Sequence, residues 1–353
     1  MKKKIVRRDF IKKATAAVAM PAATQAATSS RASRSRQASA KNKNQIKLDP
    51  KLPSRMFGKL GIRLPVFCFG GAQLASKWGN DRGKEGTAKY IQYAYDKGLR
   101  YFDTAGNYGT SQSWLGYGVK ANKLRDKVFL ATKIETTQPQ NTRRDVERCL
   151  KELETDHIDL LQMHGTPGIE NMTVKTAMKI HAELVKLKDE GMIKHIGLTA
   201  HSYFDKALEM ISSGGFEQCM LALGYFPRGY DQYFSPKMIQ LREKCVAKAH
   251  SLKMGIVAMK VMGRGTLGLE PYAIAPELTQ QEKASIPGAA IRWVLQDKRI
   301  HLLVIGLMKE HEIDANIRSM AGKARFSVRD KKLLAKYSKI AMTRPPYKDM
   351  RVE

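Results

Sequence analysis

The chain has 353 residues, 43% of them apolar, with 62 Lys and Arg against 33 Asp and Glu for a formal charge of +29. That apolar share excludes wholesale disorder and a fibrous or collagen-like chain. No run approaches the ~18 consecutive apolar residues of a membrane-crossing helix, and the length suits two ordinary domains or one large barrel.

Four cysteines, Cys68, Cys149, Cys219 and Cys245, form no CxxC pair and lack metal-spaced histidines. A zinc site, an iron–sulfur cluster and a disulfide scaffold are therefore not expected. Residues 1–47 hold 13 basic residues and one acid, Asp9, supplying +12 of the charge. The remaining +17 is spread without a basic stripe interleaved with aromatics, so nucleic acid is not an expected partner. A solvated basic surface, or a field that draws an anionic substrate or cofactor, is the expectation.

The N-terminus runs Lys2-Lys3-Lys4-Ile5-Val6-Arg7-Arg8-Asp9-Phe10-Ile11-Lys12-Lys13 into a weakly apolar stretch, with small residues at Ala26 and Ala27. It resembles a twin-arginine (Tat) signal peptide over 1–27, departing from it at Val6, where Ser or Thr is common. The resemblance implies the Tat export machinery as a partner and a periplasmic destination, or a cytoplasmic one if the signal is vestigial. Residues 28–50 are basic and rich in Ser, Ala and Asn, and read as a flexible linker.

Eight short apolar runs follow: Val66–Leu74, Tyr101–Ala105, Val128–Lys133, Ile158–His164, His195–Ala200, Cys219–Tyr225, Gly255–Val261 and His301–Leu307. Their near-continuous apolar character is that of parallel strands buried on both faces. Amphipathic stretches lie between them, including Thr142–Leu153, Val174–Glu190, Met238–Leu252 and Gln280–Gln296. Asn141 is the expected cap of the first of these, and Gly98, Gly191 and Gly255 the expected stops. The pattern predicts an α/β fold, a (β/α)8 TIM barrel over 51–325 with a C-terminal helix and tail over 326–353. A doubly wound sheet is the alternative, but the chain has no early GxGxxG turn.

In such a barrel, chemistry belongs at the C-terminal strand ends and in the loops after them. Here the second strand ends Phe102-Asp103-Thr104-Ala105 and leads to Tyr108, the third ends at Lys133, and the fourth at His164. Asp and Lys are rarely buried unless paired, so their place in apolar strands calls for a reason. A structural Lys133–Asp103 ion pair is the bland one.

These residues carry a resemblance to the aldo-keto reductase superfamily, from about residue 55 to 320. FDTAGNYG (102–109), Ala131-Thr132-Lys133, and the segment Leu150–Leu160 ending in His164 match its motifs. The resemblance implies that Asp103, Tyr108, Lys133 and His164 form the catalytic tetrad of an oxidoreductase interconverting a carbonyl and an alcohol. It also implies a nicotinamide dinucleotide, NADP or NAD. In physical terms, carbonyl reduction places charge on oxygen that must be protonated as it forms. Tyrosine, with a free pKa near 10, is a weak acid that a neighbouring Lys133 would strengthen by stabilising phenolate. Asp103 would hold Lys133, and a neutral His164 would donate to the substrate oxygen. No side chain donates hydride, so a cofactor must.

The late loops are the expected phosphate site, with Lys260, Met262, Arg264 and Gly265 after strand seven and Gly306 and Lys309 after strand eight. Thr199 stands where the family has Ser beside the nicotinamide, and Asn316 where it has an adenine contact. Gln112, Ala222 and Ala315 depart from the family's Glu, Gln and Glu. Residues 321–353 lack cysteine, which excludes relatives with an iron–sulfur tail. The competing functions are a nicotinamide-binding barrel serving as a non-turnover sensor or auxiliary subunit, and a basic surface-binding module. The substrate, a small-molecule aldehyde, ketone or sugar, is not readable; Trp78, Trp114, Tyr203 and Phe226 are candidates either to line its pocket or simply to pack. Joined to an export signal, the reading also predicts a dinucleotide acquired before export and retained, with ping-pong kinetics.

Overall fold

Eight of the chain's strands close into an all-parallel barrel in a computed structural model that describes residues 46–229, 232–268, 271–321 and 325–352. The chain enters through a hairpin of β1 (Ser54–Met56) and β2 (Arg63–Pro65). The barrel strands are β3 (Phe67–Gly70), β4 (Tyr101–Asp103), β5 (Phe129–Ile134), β6 (Ile158–Met163), β7 (Ile193–Ala200), β8 (Gln218–Ala222), β10 (Gly255–Met259) and β11 (Leu302–Gly306). The intervening β9 (Gln232–Tyr233) pairs instead with β12 (Arg351–Val352). Around the barrel the order is β3-β4-β5-β6-β7-β8-β10-β11 and back to β3, the eightfold alternation the sequence predicts.

The principal helices are α1 (Gly83–Asp96), α2 (Ser111–Ala121), α3 (Thr142–Glu152), α4 (Val174–Asp189), α5 (Phe204–Ser212), α6 (Pro236–Ser251), α7 (Pro271–Ile274), α8 (Gln280–Leu295), α9 (Glu310–Met320) and α10 (Val328–Met342). Side chains start several of them: Thr173 accepts from Thr176 N, Ser235 from Met238 N, and Thr279–Glu282 and Ser327–Asp330 form reciprocal boxes. Asn141 does not cap α3. A 3-10 turn over Pro139–Asn141 runs straight into the helix, and the Asn141 amide donates to Gln138 instead. Gly98 and Gly191 stop their helices at positive φ, but Gly255 does not. Lys253 takes the left-handed position after α6, and Gly255 lies inside β10, where an added Cβ would sit 2.6 Å from the Phe57 ring.

Side chains alternate along each strand, and this sorts the barrel interior into layers. Tyr101 and Phe129 stack at 5.3 Å, with Phe57 edge-on to both at 6.1 Å, closing the N-terminal end. Two and four residues further on, the same inward rows carry Asp103 and Lys133. Phe69 and Phe102 stack against each other, and Phe69 meets Tyr90 of α1, on the outward side.

The C-terminal helix belongs to the fold. Tyr337 and Leu334 of α10 pack with Ile286 and Ala289 of α8, and Asp330 receives Arg292 through two hydrogen bonds, of 2.6 and 3.0 Å. Tyr337 also donates to Thr266 O at 2.6 Å, and Thr266 Oγ1 bonds Tyr347 Oη at 2.8 Å, so this segment holds the loop after β10.

The Tat-like segment lies outside the described residues, as does most of the linker expected over 28–50. The linker's last residues are anchored: Ile46 packs on the core, and Arg100 Nε donates to Lys47 O at 2.8 Å. Among the described residues no helix is long and apolar enough to cross a membrane, no acidic, histidine or cysteine cluster is arranged for a metal, and all four cysteines are free and buried.

Candidate active site

At the C-terminal rim of the barrel the structure brings Asp103, Tyr108, Lys133 and His164 together. Asp103 ends β4, Lys133 is next to last in β5, and His164 follows β6 at once. In the parallel register Asp103 stands opposite Ala131, and Lys133 opposite Gln162. One inward face therefore carries all three, and the turn after β4 brings Tyr108 over them.

Lys133 is buried, and its Nζ donates to Asp103 Oδ1 and, at 2.7 Å, to Thr104 O. Gln162 Nε2 donates to the other Asp103 oxygen at 3.0 Å, while Gln162 Oε1 is buried without a partner. The carboxylate is thus fixed from two sides, as a buried charge requires. Lys133 Nζ lies 5.0 Å from the Tyr108 ring centroid, with no hydrogen bond between the two. Burial first, and then the Asp103 and Glu135 carboxylates, push the Tyr108 phenol upward. The expected lowering by Lys133 is therefore absent from the resting site. Two of the cation's three donors go to Asp103 and Thr104, and desolvation is the largest influence on the phenol.

His164 is buried, and its Nδ1 lies 3.0 Å from Glu135 Oε1. Burial holds its pKa below the usual imidazole range, against the opposing pull of Glu135. Its Nε2 is buried without a hydrogen bond. The ring is edge-on to Tyr108 at 5.8 Å and tilted against His201 at 5.9 Å. Trp78 meets Tyr108 edge-on at 5.4 Å and is exposed, so it walls the mouth beside the phenol. Sequence reasoning missed Glu135, Gln162 and His201. All three lie an even number of residues from a recognised site residue, which was the available signal.

The expected cofactor contacts are less uniform. Thr199 Oγ1 accepts from Gly165 N at 2.8 Å, clamping the loop after β6 and leaving its own proton to donate. After β10, Lys260, Gly263, Arg264 and Gly265 all have positive φ, and the Met262 carbonyl collects Gly265 N and Leu267 N. Arg264 is exposed and Lys260 half-buried. Beside Gly306 lies the Gln73 amide, whose Oε1 would stand 2.1 Å from an added Cβ and would have to swing aside. Lys309 is exposed, but its amide and that of Met308 already donate to Glu312, so α9 opens on its own carboxylate. Asn316 is buried in α9. Of the candidate aromatics, Phe226 takes the packing alternative: it is core, edge-on against Tyr337. Trp114 is half-buried on α2, and Tyr203 is exposed.

The sequence profile described as the Aldo/keto reductase family matches residues 66–332. A Glycine max protein named probable aldo-keto reductase 1 is 25% identical over 309 residues, 75% of this chain and 84% of its own. Norsolorinic acid reductase B of Dothistroma septosporum is 21% identical over 307 residues, 73% of this chain and 75% of its own. The solved holo form of an aldo-keto reductase from Bacillus halodurans has the same fold, with a TM-score of 0.63 at 17% identity over 81% of this chain and 96% of that one.

Proposed function

The chain belongs to the aldo/keto reductase family, and from that premise we propose that it reduces a small-molecule aldehyde or ketone with Tyr108 as the proton donor, and runs the reverse oxidation. The observation that carries this reading is the buried Asp103–Lys133 pair fixed beneath Tyr108 on one rim, with His164 edge-on to the same ring. Aldo-keto chemistry is oxidoreduction, and a bound nicotinamide dinucleotide would supply the hydride.

The donor set suits such a group. Gln162 Oε1 is a buried, unpartnered acceptor, and Thr199 keeps a donor proton on the neighbouring strand, a pairing of types that suits a carboxamide. Arg264 and Lys309 place exposed cations after β10 and β11 for phosphates, and the Gly306 backbone allows close approach. We assign the cofactor as NADP on that paired positive charge. Asn316, in α9, stands toward the adenine end on this assignment.

Burial keeps Tyr108 fully protonated at neutral pH, so it is present as an acid and yields its Oη proton only as charge builds on the substrate oxygen. Lys133 then stabilises the phenolate left behind, an interaction stronger in the transition state than before it. Asp103, Gln162 and the Thr104 carbonyl hold that cation in place, so little reorganisation is needed. Trp78 shields the phenol from water on one side.

Export by the twin-arginine-like segment, with the dinucleotide retained through it, remains part of the proposal. Replacing Arg7-Arg8 with Lys-Lys and fractionating cells tests it: retention in the cytoplasm supports export, unchanged distribution refutes it. The catalytic reading is tested by following oxidation of reduced NADP and NAD with aromatic, aliphatic and sugar carbonyls. Turnover with at least one class, faster with NADP, is expected; no turnover with any refutes the reading.

A further inference from the structure

We infer that Glu135 is a positioning residue that fixes the tautomer of His164, so that neutral His164 accepts from an alcohol and only the Glu135-paired imidazolium donates to a carbonyl oxygen. The inference rests on the reading of this rim as a carbonyl–alcohol site.

Glu135 directly follows β5, two residues after Lys133, and is therefore turned toward the same side of the barrel. Its Oε1 lies 3.0 Å from His164 Nδ1. An ionised carboxylate can only accept, so the proton between them resides on Nδ1. The neutral ring then presents a bare lone pair at Nε2. That atom is the one that is buried and unpartnered, on a ring 5.8 Å from the Tyr108 ring. A carbonyl oxygen is also only an acceptor, and two acceptors repel. An alcohol has a proton to give and suits the lone pair. On this inference neutral His164 does not donate to the substrate oxygen, contrary to the expectation from the sequence; it donates from Nε2 only after taking a second proton.

The groups facing the ring set how readily that happens. Glu135 and Asp103 favour the cation, Lys133 and the neighbouring His201 oppose it, and Tyr108 stays neutral. Glu135 has access to solvent on its far side. It lines a polar cleft of about 390 Å³ with Gln138, Arg144, Asp145 and Arg148. Its Oε2 and Arg148 Nη2 each lie 3.4 Å from the point where a Cβ on Gly106 would sit. The pair therefore exchanges its proton through the cleft, not across the substrate side. The reduction remains balanced: hydride goes to carbon, Tyr108 gives the oxygen its proton, and His164 keeps both of its own.

Two readouts test this. Protein labelled with 15N-histidine, without cofactor or substrate, reports the tautomer directly, with His164 identified as the signal lost in His164→Gln. At pH 8 the wild type should carry the proton on Nδ1, and Glu135→Ala should move it largely to Nε2, the form free imidazole side chains prefer. An Nε2 proton in the wild type, or an unchanged tautomer in the variant, overturns the inference. The second readout is kcat/KM for carbonyl reduction and alcohol oxidation against pH. Wild-type reduction should rise as pH falls below the usual imidazole range, where the buried ring takes its second proton. Glu135→Gln, which folds conservatively, should lose about tenfold in reduction at the acid end of that profile, the loss of one charge-assisted hydrogen bond, and less in oxidation. Superimposable profiles overturn the inference. Should no carbonyl be turned over at all, the function fails while the tautomer measurement still decides this assignment.

Discussion

Removing Lys133 should cost the protein more than its own contacts, because Asp103 is stranded. In Lys133→Met the carboxylate stays buried with only Gln162 Nε2 donating to it, and the Thr104 carbonyl loses its donor. Breaking a buried ion pair from one side costs about 3–5 kcal/mol. Asp103→Asn should cost about 3 kcal/mol on the same basis, since Lys133 keeps the Thr104 carbonyl but loses its counter-charge. The double variant holds neither charge of this pair. It should lose only about 2 kcal/mol, near the worth of two ordinary hydrogen bonds. The cycle thus predicts a coupling of about 4–6 kcal/mol, well above the ~0.5 kcal/mol scatter of independent sites. Urea unfolding of the four proteins at pH 7.5 measures it. Additive losses would mean that the two residues are not paired in the folded protein, and the account of how Lys133 is fixed beneath Tyr108 would fail. Both single variants should also lose reductase activity, and the double variant should regain stability without regaining activity.

Other expectations follow from single contacts. Tyr108→Phe should leave unfolding and dinucleotide binding within error while kcat/KM for reduction falls about 10²–10⁴-fold, as loss of a general acid does; fluorescence titration and steady-state kinetics separate the two. Gly255→Ala should destabilise by about 1–3 kcal/mol, because the new methyl meets the Phe57 ring that plugs the barrel base; unchanged urea midpoints would place Phe57 elsewhere. Stability should fall on acidification below about pH 6.5. Burial holds His164, His181, His201 and His301 below the usual range, so the unfolded chain takes up protons the folded one resists. Each contributes at most about 1.4 kcal/mol per pH unit, and His201→Asn should flatten the slope between pH 6.5 and 5.

The barrel is readable in the sequence because each strand, covered by helices outside and side chains inside, must be apolar on both faces. Its ends are less readable. The run Val66–Leu74 becomes strand only from Phe67 to Gly70, after which a 3-10 turn takes over, and the strand at Cys219 ends at Ala222, whose carbonyl accepts from Arg242. The tetrad positions are legible because a charged residue inside an apolar strand violates the burial rule. Glu135 and His201 are not, since each stands just past its strand, where polarity is ordinary. Extending the period of two by one step from Lys133 and Thr199 reaches both. The resting charge of Tyr108 and the tautomer of His164 depend on burial and on which atom meets Glu135, and neither is encoded in spacing. The hairpin and the anchored Ile46–Leu52 segment escape a reading built on apolar runs, because backbone carbonyls and guanidinium groups hold them, as Arg55 does at Leu295 O.

The most direct test of the account uses reduced nicotinamide dinucleotide deuterated at the transferable C4 position, with a carbonyl substrate and either wild-type protein or Tyr108→Phe. Deuterium should appear on the carbinol carbon of the wild-type product, with little or no product from the variant. Cofactor oxidation without deuterium in the product, or equal labelled product from the variant, would contradict it.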